Sequence, residues 1–179
     1  MLIAQKGYKA VTTKEIASKA MVSEMTLFRH FGTKKKLLED AVDRFYYTIS
    51  FRKLFEEQIE WDLKKDLLLI AKTYHELMKR NRYVIHVALK EGGNIDGLLD
   101  QVNKHPRQLK ELMIQYFLSM QKENKMIQCE PEVYAMNFLY LQYGLFISCN
   151  FVSGEKITNL SSEDFIQNSV LLFYQQLAP

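Results

Sequence analysis

Residues 12–36 read TTKEIASKAMVSEMTLFRHFGTKKK, and this stretch decides the fold because it parses into two short helices joined by a tight turn. The first helix starts at Thr12, whose hydroxyl suits an N-cap. Glu15, three residues on, reaches back to the cap's own N–H, the reciprocal pairing of a capping box. Ile16, Ala17 and Ala20 then fall at helical spacing on one face. Ser23 is a second N-cap, and Leu27, Phe28 and Phe31 supply the next apolar face. About three residues separate the two helices, the length of a helix-turn-helix connection. In that motif the second helix lies in the DNA major groove with its N-terminal residues toward the base edges.

The residues after the pair sharpen this reading. Gly32 ends the second helix, Thr33 caps another, and Lys34, Lys35 and Lys36 stand at its opening. Positive charge at a helix N-terminus opposes the macrodipole and costs roughly a few tenths of a kcal/mol. A triple lysine there is explained if a phosphate lies nearby, where ammonium groups and free N–H groups act together. A solvated charge run is the plainer alternative.

Gly7-Tyr8, Thr12-Thr13-Lys14-Glu15-Ile16-Ala17, Val22-Ser23, Thr26-Leu27-Phe28-Arg29-His30-Phe31 and Lys34 together resemble the DNA-binding domain of TetR-type transcriptional regulators. The resemblance covers about the first fifty residues at motif level. It implies that Lys14, Glu24, Met25 and Thr26 read bases. Lysine donates to guanine O6 and N7, glutamate accepts from cytosine N4, and Met25 touches a thymine methyl. It also implies that Phe28 and His30 meet the backbone or groove edge, and that Thr33 and Lys34 hold phosphates. Surface charge for Lys14 and Glu24, and plain core for Phe28, are the alternatives.

Two residues depart from the family pattern. Phe28 stands where tyrosine is usual and so contributes shape without a hydroxyl. Met21 occupies the middle of a turn where glycine is common, at a backbone cost if positive φ is required. Met1–Gln5 read as the last turn or two of a helix that TetR-type domains make about three turns long. The resemblance therefore implies that roughly ten or more residues lie upstream.

Composition agrees with an all-α protein. The chain has 179 residues, 47% of them hydrophobic, with only 7 glycines and 3 prolines. That punctuation favours long helices, and no sustained alternation of period two marks a strand. No run of about eighteen uncharged apolar residues, the length of a membrane span, is present. The most apolar stretch, Ala135–Val152, is interrupted by Asn137, Gln142, Ser148 and Asn150. No secretory signal pattern opens the chain. Cys129 and Cys149 make neither a disulfide framework nor a zinc site, which suits a reducing cytoplasm. Residues 1–53 hold 11 Lys and Arg against 5 acids, and the rest hold 13 against 16. A basic end on an acidic body is the footprint of a module that meets a polyanion with one end.

The expected architecture is a helix-turn-helix domain of three helices at 1–45, its first helix truncated, joined to a larger helical bundle at 46–179. The helix opened by the lysines continues through Leu38, Ala41, Val42, Phe45 and Ile49. Further helices are predicted over Leu63–Lys79 and Tyr83–Glu91, with a short turn at Leu98–Val102. Pro106 and Pro131 each open a helix at N1, and Ser161 or Ser162 caps the last, which ends near Leu177. Pro131–Val152 is apolar on nearly all sides, and such a helix must be covered on two sides. Either the core is thick, or these last two helices meet their copies as a four-helix bundle in a homodimer, as the resemblance implies. Leu139, Phe146, Phe165, Val170 and Phe173 are the expected dimer residues.

Aromatic residues, including Tyr46 and Trp61, are plentiful in the body and polar groups are interleaved with them. The expected ligand-binding residues are Tyr74, His75, His86, Tyr116, Phe117, Met120, Phe138 and Gln142, though each is also a natural core residue. The polar ones are favoured because an unpaired buried polar group asks for a partner. No Glu-x-x-His pair or glycine-rich phosphate loop appears, and His30, His75, His86 and His105 are scattered. The sequence therefore predicts a ligand-responsive regulator, without cofactor or metal, that binds a palindromic double-stranded operator. The alternative is a dimeric small-molecule-binding helical protein that does not touch DNA.

Overall fold

The computed structural model describes residues 2–45 and 48–179, without the side chains at 44–50. Phe45, Tyr46 and Ile49, and Met1 at the start, therefore lie outside the described residues or side chains. Among the described residues the chain forms ten α-helices and no strand. They are α1 Leu2–Lys6, α2 Thr13–Lys19, α3 Glu24–Phe31, α4 Lys34–Phe45, α5 Thr48–Glu57 and α6 Leu63–Arg80. After these come α7 Arg82–Glu91, α8 Leu98–Lys122, α9 Pro131–Phe151 and α10 Ser162–Leu177, with a single 3₁₀ turn at Gly154–Lys156. No helix among the described residues is long and apolar enough to cross a membrane.

The helix starts follow the caps. Thr12 accepts the Glu15 N–H at 3.1 Å, and the Glu15 carboxylate accepts the Thr12 N–H at 2.9 Å. Ser23 accepts the Thr26 N–H at 3.0 Å, and Thr33 accepts that of Lys36 at 3.0 Å. Ser161 does the same for Asp164 at 3.0 Å. Between α2 and α3 the chain closes a Schellman motif. The Val22 N–H reaches the Ala17 carbonyl and the Met21 N–H reaches that of Ser18. This geometry requires a left-handed residue, and Met21 supplies it at φ +56.

By contacts the chain divides into two compact units: residues 1–46 with 81–105, and residues 47–80 with 106–179. The sequence suggested one boundary near residue 45. Instead α7 packs on α1 and α4, and Val87, Ile95 and Leu98 share a core with Ala4, Leu38 and Val42. The short helices before residue 46 cannot close a core alone, and the later segment fills it. In the second unit α6 packs against α9 and α10, and these two against each other. Leu67, Ile70, Met113, Phe117, Met120 and Phe138 are fully buried there.

The helix around Pro106 differs from its prediction, and the helix Thr48–Glu57 is not among those predicted. Pro106 does not open a helix but lies inside α8, which runs unbroken from Leu98 to Lys122. Proline removes a helical hydrogen bond and crowds the carbonyl four residues back. The helix tolerates this because it is fastened on both sides, by Leu98 before the proline and by Leu109 and Met113 after it, all buried.

Met21 is 92% exposed, so its side chain contributes almost no packing to offset its left-handed backbone. Met21→Gly should raise the stability of the protein by about 0.5–1 kcal/mol, read as an upward shift of the thermal midpoint. An unchanged or lowered midpoint would show that the turn is not strained.

Candidate nucleic-acid interface and interior polar site

The helix pair spends one side of each helix on the core and leaves the other free. Val11, Ala17 and Leu27 are buried, whereas Met25 and Phe28 stand out from α3. Phe28 is 65% exposed, which removes the plain-core reading of that ring. Lys14 and His30 are exposed as well, and Thr26 is half-buried. Lys14, Met25, Phe28 and His30 thus remain unspent within the first unit, in the stretch the sequence singled out.

Other expected residues have structural partners. The Thr13 hydroxyl donates a short hydrogen bond to the Glu24 carboxylate, bracing the start of α3 against that of α2. The Thr26 hydroxyl lies 2.8 Å from that of Ser23. Lys34 is the most committed of the set. Its ammonium donates to the Tyr8 carbonyl at 2.7 Å and to the Val11 carbonyl at 2.8 Å, and sits 4.3 Å from the centre of the Tyr8 ring. Of three ammonium protons two are used, so one is left. The same turn is held from the far side by Glu91 of α7, which accepts the Tyr8 N–H at 3.0 Å. Gly7 makes room for this approach: at φ +88, a Cβ there would sit 3.1 Å from the Glu91 oxygen. Burial raises the Tyr8 hydroxyl above its ordinary value, with the Glu39 charge adding to the effect. Glu15 is held down at about 2, chiefly by its hydrogen bond from Lys6 and then by the Thr12 N–H.

In the second unit, two of the expected ligand residues join one buried polar chain. His75 Nε2 lies 3.0 Å from Gln142 Oε1, Gln142 Nε2 donates to Ser169 Oγ at 3.0 Å, and Ser169 Oγ donates to the Ile166 carbonyl at 2.8 Å. Every donor finds an acceptor only if His75 carries its proton on Nε2. Burial lowers the His75 pKa from 6.5, and the bond to Gln142 acts in the opposite direction. The imidazole is therefore neutral at neutral pH. It borders a cavity of about 400 Å³ shared with Glu76, Lys79, Phe146, Cys149 and Ile166.

The remaining expected ligand residues do not gather around that cavity. Tyr74, Phe117, Met120 and Phe138 are buried in the core, and His86 belongs to the first unit. Tyr116 borders a separate hollow with Trp61 and Phe55. The expected dimer residues split too. Leu139, Phe146 and Val170 are buried within the chain, while Phe165 and Phe173 are half-buried. The apolar side chains that α9 and α10 leave outside are Val133, Tyr140 and Leu172. Sequence reasoning did not single out Glu91, Asp66 or Ser169, each of which engages a partner distant in sequence. Among the described residues no group of three or more His, Cys, Asp and Glu could hold a metal.

Comparison with known proteins places this arrangement. Residues 1–41 match the family model for bacterial regulatory proteins of the tetR family. Over 178 residues the chain is 33% identical to the uncharacterized HTH-type transcriptional regulator YvkB of Bacillus subtilis (strain 168), covering 99% of this chain and 92% of that one. A Saccharomonospora viridis protein solved in complex with choline has a similar fold. Its TM-score is 0.78 at 20% identity, over 99% of this chain and 92% of that one. The TetR family transcriptional regulator PfmR of Thermus thermophilus gives 0.73 at 15% identity, over 97% and 93%.

Gln142 is wholly buried, so replacing it strands both neighbours. Gln142→Leu should cost about 1–3 kcal/mol. It should also push the His75 pKa further down, because the bond that favours the charged ring is lost. A histidine whose folded pKa is depressed adds stability above its unfolded value near 6.5, and that stability falls away as pH drops through the folded value. The variant should therefore lose more stability on acidification than the parent. An NMR titration in which the His75 pKa stays put or rises would rule out this hydrogen-bonded chain.

Proposed function

The chain belongs to the TetR family of bacterial transcriptional regulators, and from that premise we propose that it is a ligand-responsive repressor working in the cytoplasm. In this reading it binds a palindromic operator as a homodimer and is released by a small, largely apolar molecule. The observation that carries the DNA-binding part is the unspent outer face of α3, with Met25 and Phe28 exposed while Leu27 packs inward. An apolar side chain left in water at the start of a helix has a use if a base edge or groove wall covers it.

The individual roles are those the resemblance implies, and the exposure of Lys14, Met25, Phe28 and His30 supports them. Lys14 donates to guanine, Met25 meets a thymine methyl, and Phe28 and His30 lie along the groove edge. Glu24 and Thr26 read bases only with the capacity left by Thr13 and Ser23. Thr33 and the one remaining proton of Lys34 hold phosphate. Two such helices about 34 Å apart enter successive major grooves, which is why a dimer is required. We place its contact on the outer faces of α9 and α10, where Val133, Tyr140 and Leu172 are exposed and Phe165 is half so.

For the inducer, the cavity beside His75 has the volume of a small-molecule site, with Leu145, Phe146 and Ile166 as apolar lining. His75 and Asn150 are among the polar groups at its wall, His75 held by Gln142 and Asn150 by the Phe146 carbonyl. A ligand that favours the conformation with separated recognition helices lowers operator affinity by its differential binding and no more. Coupling of about 1–3 kcal/mol corresponds to about 5–150-fold.

A titration of the full chain against a random duplex pool at two salt concentrations tests the proposal. A palindrome should be enriched, and if six phosphates are neutralised the slope of log K against log salt should be about −5. Lys14→Ala should relax the preference at one base position in each half-site. A folded, dimeric protein that enriches nothing would contradict the repressor assignment.

A further inference from the structure

The loop between α5 and α6 holds Trp61 in the left-handed region, at φ +59. That conformation is costly for any residue with a side chain, and strain of this kind persists where the surroundings require it. Here it lays the indole against Tyr116 of α8, with ring centres 5.9 Å apart and planes 26° from parallel. Phe55 of α5 stands edge-on to the same phenol ring at 6.1 Å. The three rings wall a hollow of about 140 Å³, closed further by Leu112 and Gln115. At roughly 30 Å³ per water, that is room for four or five waters. Trp61 is still 44% exposed, so the indole is not packed away as core.

Behind the rings lies a buried charge. Tyr116 donates its phenolic proton to Asp66 Oδ2 at 2.8 Å, and Asp66 Oδ1 accepts the Glu60 N–H at 2.9 Å. Asp66 is 1% exposed, and its partners among the described residues are a hydroxyl and an N–H, neither of them a cation. Burial, and then the Asp66 charge, push the Tyr116 hydroxyl far above its ordinary range, so it remains a donor at every working pH. A phenol donating to a carboxylate carries extra electron density in its ring, which deepens the negative potential over the ring face. The surrounding stretch is acidic too, with Glu56, Glu57, Glu60, Asp62 and Asp66 against Lys64 and Lys65. Lys65 is paired with Glu60 at 2.8 Å. Lys125 donates to the Trp61 carbonyl at 3.2 Å.

We propose that Phe55, Trp61 and Tyr116 form an aromatic cage for a compact organic cation, an alkylammonium head group carrying three or four carbon substituents. The class follows from what the hollow offers. Its faces attract positive charge, and its lining is mostly carbon, from Phe55, Ile59, Trp61, Leu112 and the Tyr116 ring, with Gln115 and Ser119 as the other polar side chains. This suits a cation whose own surface is carbon better than a primary ammonium that must replace all its water. An alkylammonium spreads its charge over carbon groups and needs no acceptor. A neutral molecule of the same bulk gains nothing from the buried carboxylate. The cage is distinct from the cavity beside His75, and its occupancy is independent of whether the chain binds DNA.

Trp61 is the chain's single tryptophan, so its emission reports on the cage directly. The full chain is titrated with tetramethylammonium chloride, with tert-butanol as the neutral probe of similar bulk and sodium chloride as the ionic control. A saturable change is expected with tetramethylammonium and not with the other two. Phe55→Leu and Asp66→Asn should each weaken the apparent affinity at least about fivefold while the helical circular dichroism is retained. Should Asp66→Asn fail to fold, Phe55→Leu alone decides. A response that does not saturate, that tert-butanol reproduces, or that survives in the folded variants overturns the proposal.

Discussion

The first unit depends on where one lysine ends. Lys34 stands at the start of α4, yet its ammonium reaches the carbonyls of Tyr8 and Val11 and lies over the Tyr8 ring. These carbonyls belong to the segment between α1 and α2, which has no helical partners of its own. A charged donor satisfying two of them in a half-buried place is worth more than a surface ion pair, because the groups it serves have little water to turn to. Glu91 completes the fastening by taking the Tyr8 N–H from the opposite side. Thus α2 and α3 are carried by α4 and α7, and the outer face of α3 is left free because something else holds the pair in place.

The second unit solves a different problem. α9 is apolar around most of its circumference, so it packs well but has no side that specifies its rotation. Gln142 supplies that specification. Wholly buried, it must find both a donor and an acceptor, and only one rotation of α9 sets it between His75 of α6 and Ser169 of α10. Asp66 and Tyr116 do similar work between α6 and α8. Buried polar groups of this kind add less to stability than apolar packing would, and they fix register instead.

Much of this was legible in the sequence wherever the signal is local. The caps at Thr12, Ser23 and Ser161 act over three residues, and a chain written as letters shows them. The left-handed Met21 could be suspected from its place in the turn. What could not be read has its partner far away or without a side-chain signature. Lys34 invites a phosphate reading because carbonyls leave no mark in a sequence, and Glu91 lies 83 residues from the N–H it accepts. Pro106 reads as a helix start by its local chemistry, and only burial on both sides of it shows why α8 continues. On α9, all-round apolarity hides which residues turn inward. Leu139 and Phe146 went to the core and Val133 and Tyr140 did not, a choice made by packing rather than periodicity.

The fastening by Lys34 is the claim on which the placement of the helix pair stands, and Lys34→Met tests it in the absence of DNA. If the ammonium holds the Tyr8–Val11 segment, thermal or denaturant unfolding of the variant should show a loss of at least about 2 kcal/mol, with amide exchange quickened across α1 to α3. If the lysine serves only to meet phosphate, the variant will be as stable as the parent and lose affinity for DNA alone, and its role as the fastening of the first unit would be contradicted.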